Sequence, residues 1–267
     1  MTGITEPRAG DQALEAVIAV AESAGREALR YFQGALAVER KADGSPVTDA
    51  DRAAERVART WIETHFPADG IHGEEQGAVR PDARRQWLID PVDGTRTFVR
   101  GVPLWATLVA LCENGVVIAG AAVFPALGEQ VAAARGAGCW WNGTRCRVSG
   151  VSRLGDALVL TTDDRFAAAP HRRAAWERLA TEAALARTWG DAYGHLLVAT
   201  GRAEAMLDPI MQPWDAAPFE PIVTEAGGVF TAWDGGPGVF GGSSVSTNSA
   251  LAVAVRGTIA PRPEDAR

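Results

Sequence analysis

Residues 87–95 read Trp87-Leu88-Ile89-Asp90-Pro91-Val92-Asp93-Gly94-Thr95. The three apolar residues predict a short buried strand. An acidic, non-helical loop follows: two carboxylates, a proline without an N–H, and a glycine free to turn sharply. Carboxylates and exposed backbone carbonyls are the oxygen donors that hard cations such as Mg²⁺ take. Two further acidic punctuations match this one, Gly73-Glu74-Glu75 upstream and Trp214-Asp215 far downstream. Acidic loops so widely separated make chemical sense if the fold gathers them around metal ions.

The chain surrounding this stretch has 267 residues, 47% of them hydrophobic and 22% charged. That is an ordinary globular composition, long enough for a substantial core. The net charge is −7. Lys and Arg form no cluster of the kind that binds nucleic acid; Arg84-Arg85 and Arg172-Arg173 are short pairs that read as solvated faces. An acidic protein that handles an anionic substrate needs a cation to offset local repulsion. The three cysteines, Cys112, Cys139 and Cys146, lack CxxC spacing, and reduced thiols in the cytoplasm are expected. No apolar run reaches the ~18 residues of a membrane span.

Working outward, apolar residues at helical spacing predict a helix over 11–33 that ends at Gly34. Residues 36–40 alternate like a strand, and 41–46 read as a turn. Thr48 with Asp51 three positions later predicts an N-cap and capping box for a helix running to His65. Leu104–Cys112 and Val116–Phe124 read as strands joined by Asn114-Gly115, a strong hairpin pair. A strand near 130–134 and a glycine-rich turn at 136–143 extend the meander. Beyond residue 150 the pattern alternates: strand 156–161, helix 172–185, helix 191–200, strand 204–208, helix 215–226, strand 228–232, then a Gly/Ser-rich segment 235–244, a last strand and a last helix. The expected fold class is layered α/β, with two halves, 1–150 and 151–260, in one compact unit. The tail 262–267 is expected to fray.

Asp90-Pro-Val-Asp-Gly-Thr95, Gly73-Glu74-Glu75 and Trp214-Asp215, with Glu225-Ala-Gly-Gly228, resemble the inositol monophosphatase family of Mg²⁺-dependent phosphomonoesterases. The resemblance spans roughly residues 11–256. It implies stacked αβαβα layers of the sugar-phosphatase type. The residues by themselves offer oxygen ligands at Glu74, Asp90, Asp93 and Asp215, with the Val92 carbonyl as one more. Two such ions about 3.5–4 Å apart clamp the attacking and leaving oxygens of an in-line displacement; two to three Mg²⁺ per site are expected. The N–H groups of Gly94 and Thr95 are placed to hold phosphate oxygens, beside Asp93.

The resemblance further implies that Asp51 orients Thr95, and that Thr95 and Glu74 position and deprotonate the attacking water. It places Gly190-Asp191 and Asp208 against the substrate alcohol. Simpler readings stand beside these. Asp51 also caps a helix, Asp208 also ends a strand, Glu75 is outside the ligand set, and His195 reads as a structural hydrogen-bonding residue. Lys41 is equally a phosphate contact or a solvated lysine. Trp87, Trp105 and Trp214 read as core or site walls. One departure is Thr97, where many relatives carry Asn.

The strings Thr188-Trp-Gly-Asp-Ala-Tyr-Gly-His195 and Ala205-Met-Leu-Asp-Pro-Ile210 are similar to the histidinol-phosphatase branch. That branch takes L-histidinol phosphate, an amino alcohol ester, in histidine biosynthesis. Asp191 and Asp208 suit its ammonium and imidazole, although Asp also binds sugar hydroxyls. Inositol monophosphate or another small phosphate ester is the alternative substrate. A regulatory protein that binds transcription or RNA partners through the same fold is the second alternative. The acidic set and the lack of a basic patch weigh against it. A cytoplasmic homodimer is the family's expectation.

Overall fold

The computed structural model describes residues 9–34, 38–40 and 46–262. Lys41, most of the expected 41–46 turn, the start of the strand expected at 36–40 and nearly all of the tail lie outside them. Val17, Val20, Ala21, Ala24 and Ala28 repeat at helical spacing and form the buried stripe of the helix Ala9–Leu29. The helix stops before residue 33. Its last turn tightens into bonds such as Phe32 N–H to Leu29 O, and Gln33 takes a φ of 62°. The Phe32 ring lies 5.4 Å from Phe98 and 5.6 Å from Trp105, an anchorage that accompanies the change of course.

The helix Asp49–His65 starts as its capping signal predicts. Thr48 Oγ accepts the Ala50 N–H at 3.1 Å, and Asp51 Oδ2 accepts the Thr48 N–H at 2.7 Å. Both helices cover one face of an eight-stranded sheet. Its order is Thr144–Arg145, Gly138–Trp141, Glu129–Ala134, Val116–Phe124, Ala106–Glu113, Arg85–Asp93, Gly70–Gly73, Gly77–Val79. Asn114 and Gly115 both take positive φ, 51° and 77°, as the predicted tight hairpin requires. Trp87, Ile89, Val109 and Leu111 point to the two helices. Leu88, Leu108, Ala110 and Phe124 point the other way, to the helices Asp191–Ala199 and Phe219–Glu225. Burial on both faces is why these strands read as continuous apolar runs rather than alternating ones.

The second sheet has the order Leu185–Arg187, Leu158–Thr161, Ala205–Asp208, Ser244–Asn248, Gly228–Thr231. Leu160 and Met206 pack on Leu197 and Val198 of the central helix. Val159, Ala205 and Leu207 face Trp176, Leu179, Val255 and Ile259 of the helices Arg173–Glu182 and Ala252–Ile259. The stack is helix, sheet, helix, sheet, helix, the layered α/β class expected.

Several local readings are corrected. The helix expected over 172–185 ends at Glu182, and Leu185–Arg187 is an edge strand. The helix expected over 215–226 is two pieces, Pro213–Ala216 and Phe219–Glu225, with Pro218 at the join, where it has no N–H for a continuous helix. The 136–143 turn contains the strand Gly138–Trp141. Cys146 follows the next strand and sets its Sγ 3.3 Å from that of Cys139; all three cysteines are free. Among the described residues no helix is long and apolar enough to cross a membrane.

Candidate metal and substrate site

The 90–93 stretch is not a loop beyond a strand but the bulged end of the strand itself. Asp90 pairs with Leu108 and Asp93 with Ala106, so one extra residue is taken up between them. Pro91, which has nothing to donate, suits that place. Its carbonyl accepts the Thr107 hydroxyl at 2.7 Å, and Asp90 Oδ1 accepts the Val92 N–H at 2.9 Å. The turn comes one residue later, at Gly94 with φ 79°, and launches the short helix Thr95–Phe98. Asp215 arrives from the next layer at the start of Pro213–Ala216, where its Oδ2 accepts the Gln212 N–H at 2.9 Å.

These elements bring one carboxylate oxygen each of Asp90, Asp93 and Asp215 within 4.8 Å of one another. Burial, then repulsion from Glu74, Asp215 and Asp93, pushes Asp90 well above the usual carboxylate range. Burial, then Asp191 and Asp215, does the same to Asp93, opposed by the Ala192 amide. Asp215 is pushed up to about 7 by burial, with the Gln212 amide opposing and Glu74 adding repulsion. Three crowded acids with no cationic side chain among them are an oxygen-only donor set that a divalent cation would relieve. The residues present therefore fit a hard metal ion.

The cluster lines a cleft of about 800 Å³. Glu74, Val92, Gly94, Thr95, Asp191 and Trp214 line it too. The turn after Glu74 is held from behind by buried Glu55, which accepts the N–H groups of Glu75 at 2.7 Å and Gln76 at 3.1 Å and pairs with Arg59. Thr95 Oγ lies 3.0 Å from the Val92 carbonyl and 3.3 Å from Asp51 Oδ1. Asp51 thus does both things its sequence allows: one oxygen caps the helix and the other faces Thr95. Burial raises its pKa, against the lowering effect of the Thr48 hydrogen bonds.

Asp191 and Asp208 sit on the other wall, with Asp93 and Asp215, around an adjoining cavity of about 340 Å³. Burial pushes Asp191 up to about 7, and Asp208 adds repulsion. Gly190 does not line the cleft. It packs behind it, where an added Cβ would lie 2.2 Å from Thr162 Cα. His195 is wholly buried and hydrogen-bonds to Asp208. Trp87 and Trp105 are core, whereas Trp214 is a wall of the cleft.

A family model described as the inositol monophosphatase family matches residues 10–263. The chain belongs to this family. It is 42% identical over 240 residues to a histidinol-phosphatase of Chlorobaculum parvum, across 89% of this chain and 93% of that protein. A histidinol-phosphatase of Mycobacterium tuberculosis is 40% identical over 221 residues, 81% of this chain and 85% of the other. Among solved structures, the extragenic suppressor protein suhB of Bartonella henselae superposes with a TM-score of 0.87 at 28% identity, over 93% of this chain and 98% of that one.

Within this inositol monophosphatase-family site, sequence reasoning overlooked several residues. Thr162 follows the strand Leu158–Thr161, donates its hydroxyl to Asp208 and accepts the Asp191 N–H at 2.8 Å. Its signal was a polar run, Thr161-Thr162-Asp163-Asp164, at a strand end. Arg96, Arg100 and Arg165 bring positive charge to the cleft rim. Glu55 carried no signal beyond being one more charge on an amphipathic helix.

Proposed function

We propose that this cleft hydrolyses small phosphate monoesters with Mg²⁺, and that L-histidinol phosphate is its substrate. Glu74, Asp90, Asp93, Asp215 and the Val92 carbonyl would hold the metal, two to three ions in all. A bound divalent cation supplies positive charge to the phosphoryl oxygens and acidifies water. The chain's own residues do the rest. The N–H groups of Gly94 and Thr95, beside Asp93, take the phosphate oxygens, and Arg96 and Arg100 raise the local concentration of an anionic ester. Thr95 and Glu74 position the attacking water, and its proton passes to Thr95 as Thr95 hands its own hydroxyl proton to Asp51. Asp191 and Asp208, with Gly190 behind them, face the departing alcohol.

The observation that carries the substrate is the Asp191–Asp208 pair. Two carboxylates on the alcohol side of a phosphate site suit an alcohol bearing an ammonium and an imidazole. They are less suited to a neutral polyol, because desolvated anions gain more from cations than from hydroxyls. The two histidinol-phosphatase relatives support the same choice. A cytoplasmic homodimer working in histidine biosynthesis belongs to this reading and rests on the sequence resemblance.

Phosphate release from L-histidinol phosphate, measured beside inositol 1-phosphate with and without Mg²⁺, tests it. Fast, Mg²⁺-dependent release from the first is expected. A preference for inositol 1-phosphate overturns the substrate, and inertness towards every phosphomonoester overturns the enzyme.

A further inference from the structure

Behind the alcohol side of the cleft lies a closed ring of contacts, one member of which reaches no ligand. His195 sits one turn into the helix Asp191–Ala199 and is wholly buried. Its Nε2 lies 3.2 Å from Asp208 Oδ2, and its Nδ1 lies 2.7 Å from Ser246 Oγ. Asp208 Oδ1 accepts the Thr162 hydroxyl, and Thr162 Oγ accepts the Asp191 N–H at 2.8 Å. Asp191 begins the helix that carries His195, so the ring closes on itself.

Donor counting sets the direction of the bond to Asp208. A carboxylate only accepts, so Nε2 carries a proton and donates it to Asp208, while Nδ1 is bonded to the Ser246 hydroxyl. Asp208 has a donor on each oxygen. Asp191, held at φ 51°, a backbone region uncommon outside glycine, has its N–H anchored.

We propose that His195 is a positioning residue for the alcohol half of the ester: through Asp208 and Thr162 it holds the Asp191 and Asp208 carboxylates in one fixed arrangement. This rests on the phosphatase reading above. The two carboxylates repel one another, and unsupported they would separate. Donors from a strand end and from a helix hold Asp208 by its two oxygens, and Thr162 holds Asp191 by its N–H, without any demand on the incoming substrate. Such preorganisation serves contacts to the alcohol and leaves the phosphate side untouched.

Packing is the competing explanation, since the His195 ring stacks on Phe219 with centroids 4.7 Å apart. Two variants separate the roles. His195→Phe keeps a stacking ring and loses the donor; His195→Gln loses the ring and keeps an N–H at similar reach. Each is assayed on L-histidinol phosphate and on p-nitrophenyl phosphate, whose alcohol half has neither amine nor imidazole. Losing a hydrogen bond to a charged group predicts a rise of about tenfold or more in KM for histidinol phosphate in His195→Phe. Its kcat changes less, p-nitrophenyl phosphate turnover stays near wild type, and His195→Gln recovers part of the loss. Equal losses on both esters, or wild-type kinetics in His195→Phe, overturn the proposal.

Should His195→Phe fail to fold, Ser246→Ala decides: it removes only the outer anchor, and a KM rise confined to histidinol phosphate is expected. Unchanged kinetics there overturn the proposal too. A wild-type protein that prefers another ester overturns the substrate alone, and the same ratio is then read on the preferred ester. A protein inert on all of them overturns both.

Discussion

The Ala192 N–H donates to Asp93 Oδ2 at 2.8 Å. That bond joins the bulged end of the first sheet to the first turn of the helix lying between the sheets. A carboxylate of the acidic cluster is therefore oriented by the same helix start that presents Asp191. The acidic cluster and the wall carrying Asp191 are built on one shared contact.

Asp93→Asn follows from this. The Asn carbonyl still accepts the Ala192 N–H, so the fold is kept. Under the proposed metal assignment a ligand charge is lost, and the drop in turnover is expected to exceed the ~10–100-fold typical of residues that only support ligands. The metal-free variant melts no lower than wild type, because one member of a repelling set is gone. Wild-type turnover with Mg²⁺, or loss of the far-UV circular dichroism signal, would contradict the assignment.

Cation binding is readable without any substrate. A ligand at a hundred times its Kd stabilises by about 2.7 kcal/mol, which for a chain of this size is a rise of roughly 5–10 °C in Tm. Mg²⁺ added to chelator-treated protein is expected to raise the melting temperature on that scale, and Asp215→Asn to remove most of the rise. A flat Mg²⁺ titration of wild type would sink the metal reading.

Without metal, stability carries a pH signature. Burial moves Asp215 from 3.8 to about 7 in the folded chain. A carboxyl with a raised folded pKa binds its proton more tightly folded than unfolded. Its stabilising contribution is complete below its unfolded pKa and is lost as pH rises through about 7. Wild type should therefore lose stability relative to Asp215→Asn between about pH 4 and pH 7, in chelator. Denaturant unfolding of both proteins across that range checks it, and a difference that does not change with pH refutes it.

Gly190→Ala is a steric prediction. The new Cβ would lie 2.2 Å from Thr162 Cα, a backbone atom that cannot swing aside. Overpacking of this kind costs about 1–3 kcal/mol, or a few degrees of Tm. It also displaces the Thr162 hydroxyl from Asp191 and Asp208, so KM for the ester rises. An unchanged Tm together with an unchanged KM would show that this contact does not matter.

Much of the fold was legible because its signals are local. Thr48 with Asp51 announces a helix start, and Asn114-Gly115 announces a hairpin; both are read within four residues and both stand. The misreadings fall where local pattern is ambiguous. Leu185–Arg187 is a three-residue edge strand with no periodicity of its own, recognisable only from its parallel partner Leu158–Leu160. Asp90–Asp93 read as a loop because a bulge at Pro91 looks like a break until the neighbouring strand is seen to continue the pairing.

The candidate site divides in the same way. The sequence by itself determined which residue types were available: Glu74, Asp90, Asp93 and Asp215 as oxygen donors, a turn at Gly94, and the strand-end acid Asp208. Those properties belong to single side chains and to backbone torsions over a few residues. Only the tertiary structure decided that three of the acids crowd within one ion's reach, that Thr162 links Asp191 to Asp208, and that His195 stands behind them. Such convergence is fixed by how two sheets stack through a shared helix layer, and no short window of sequence contains that packing.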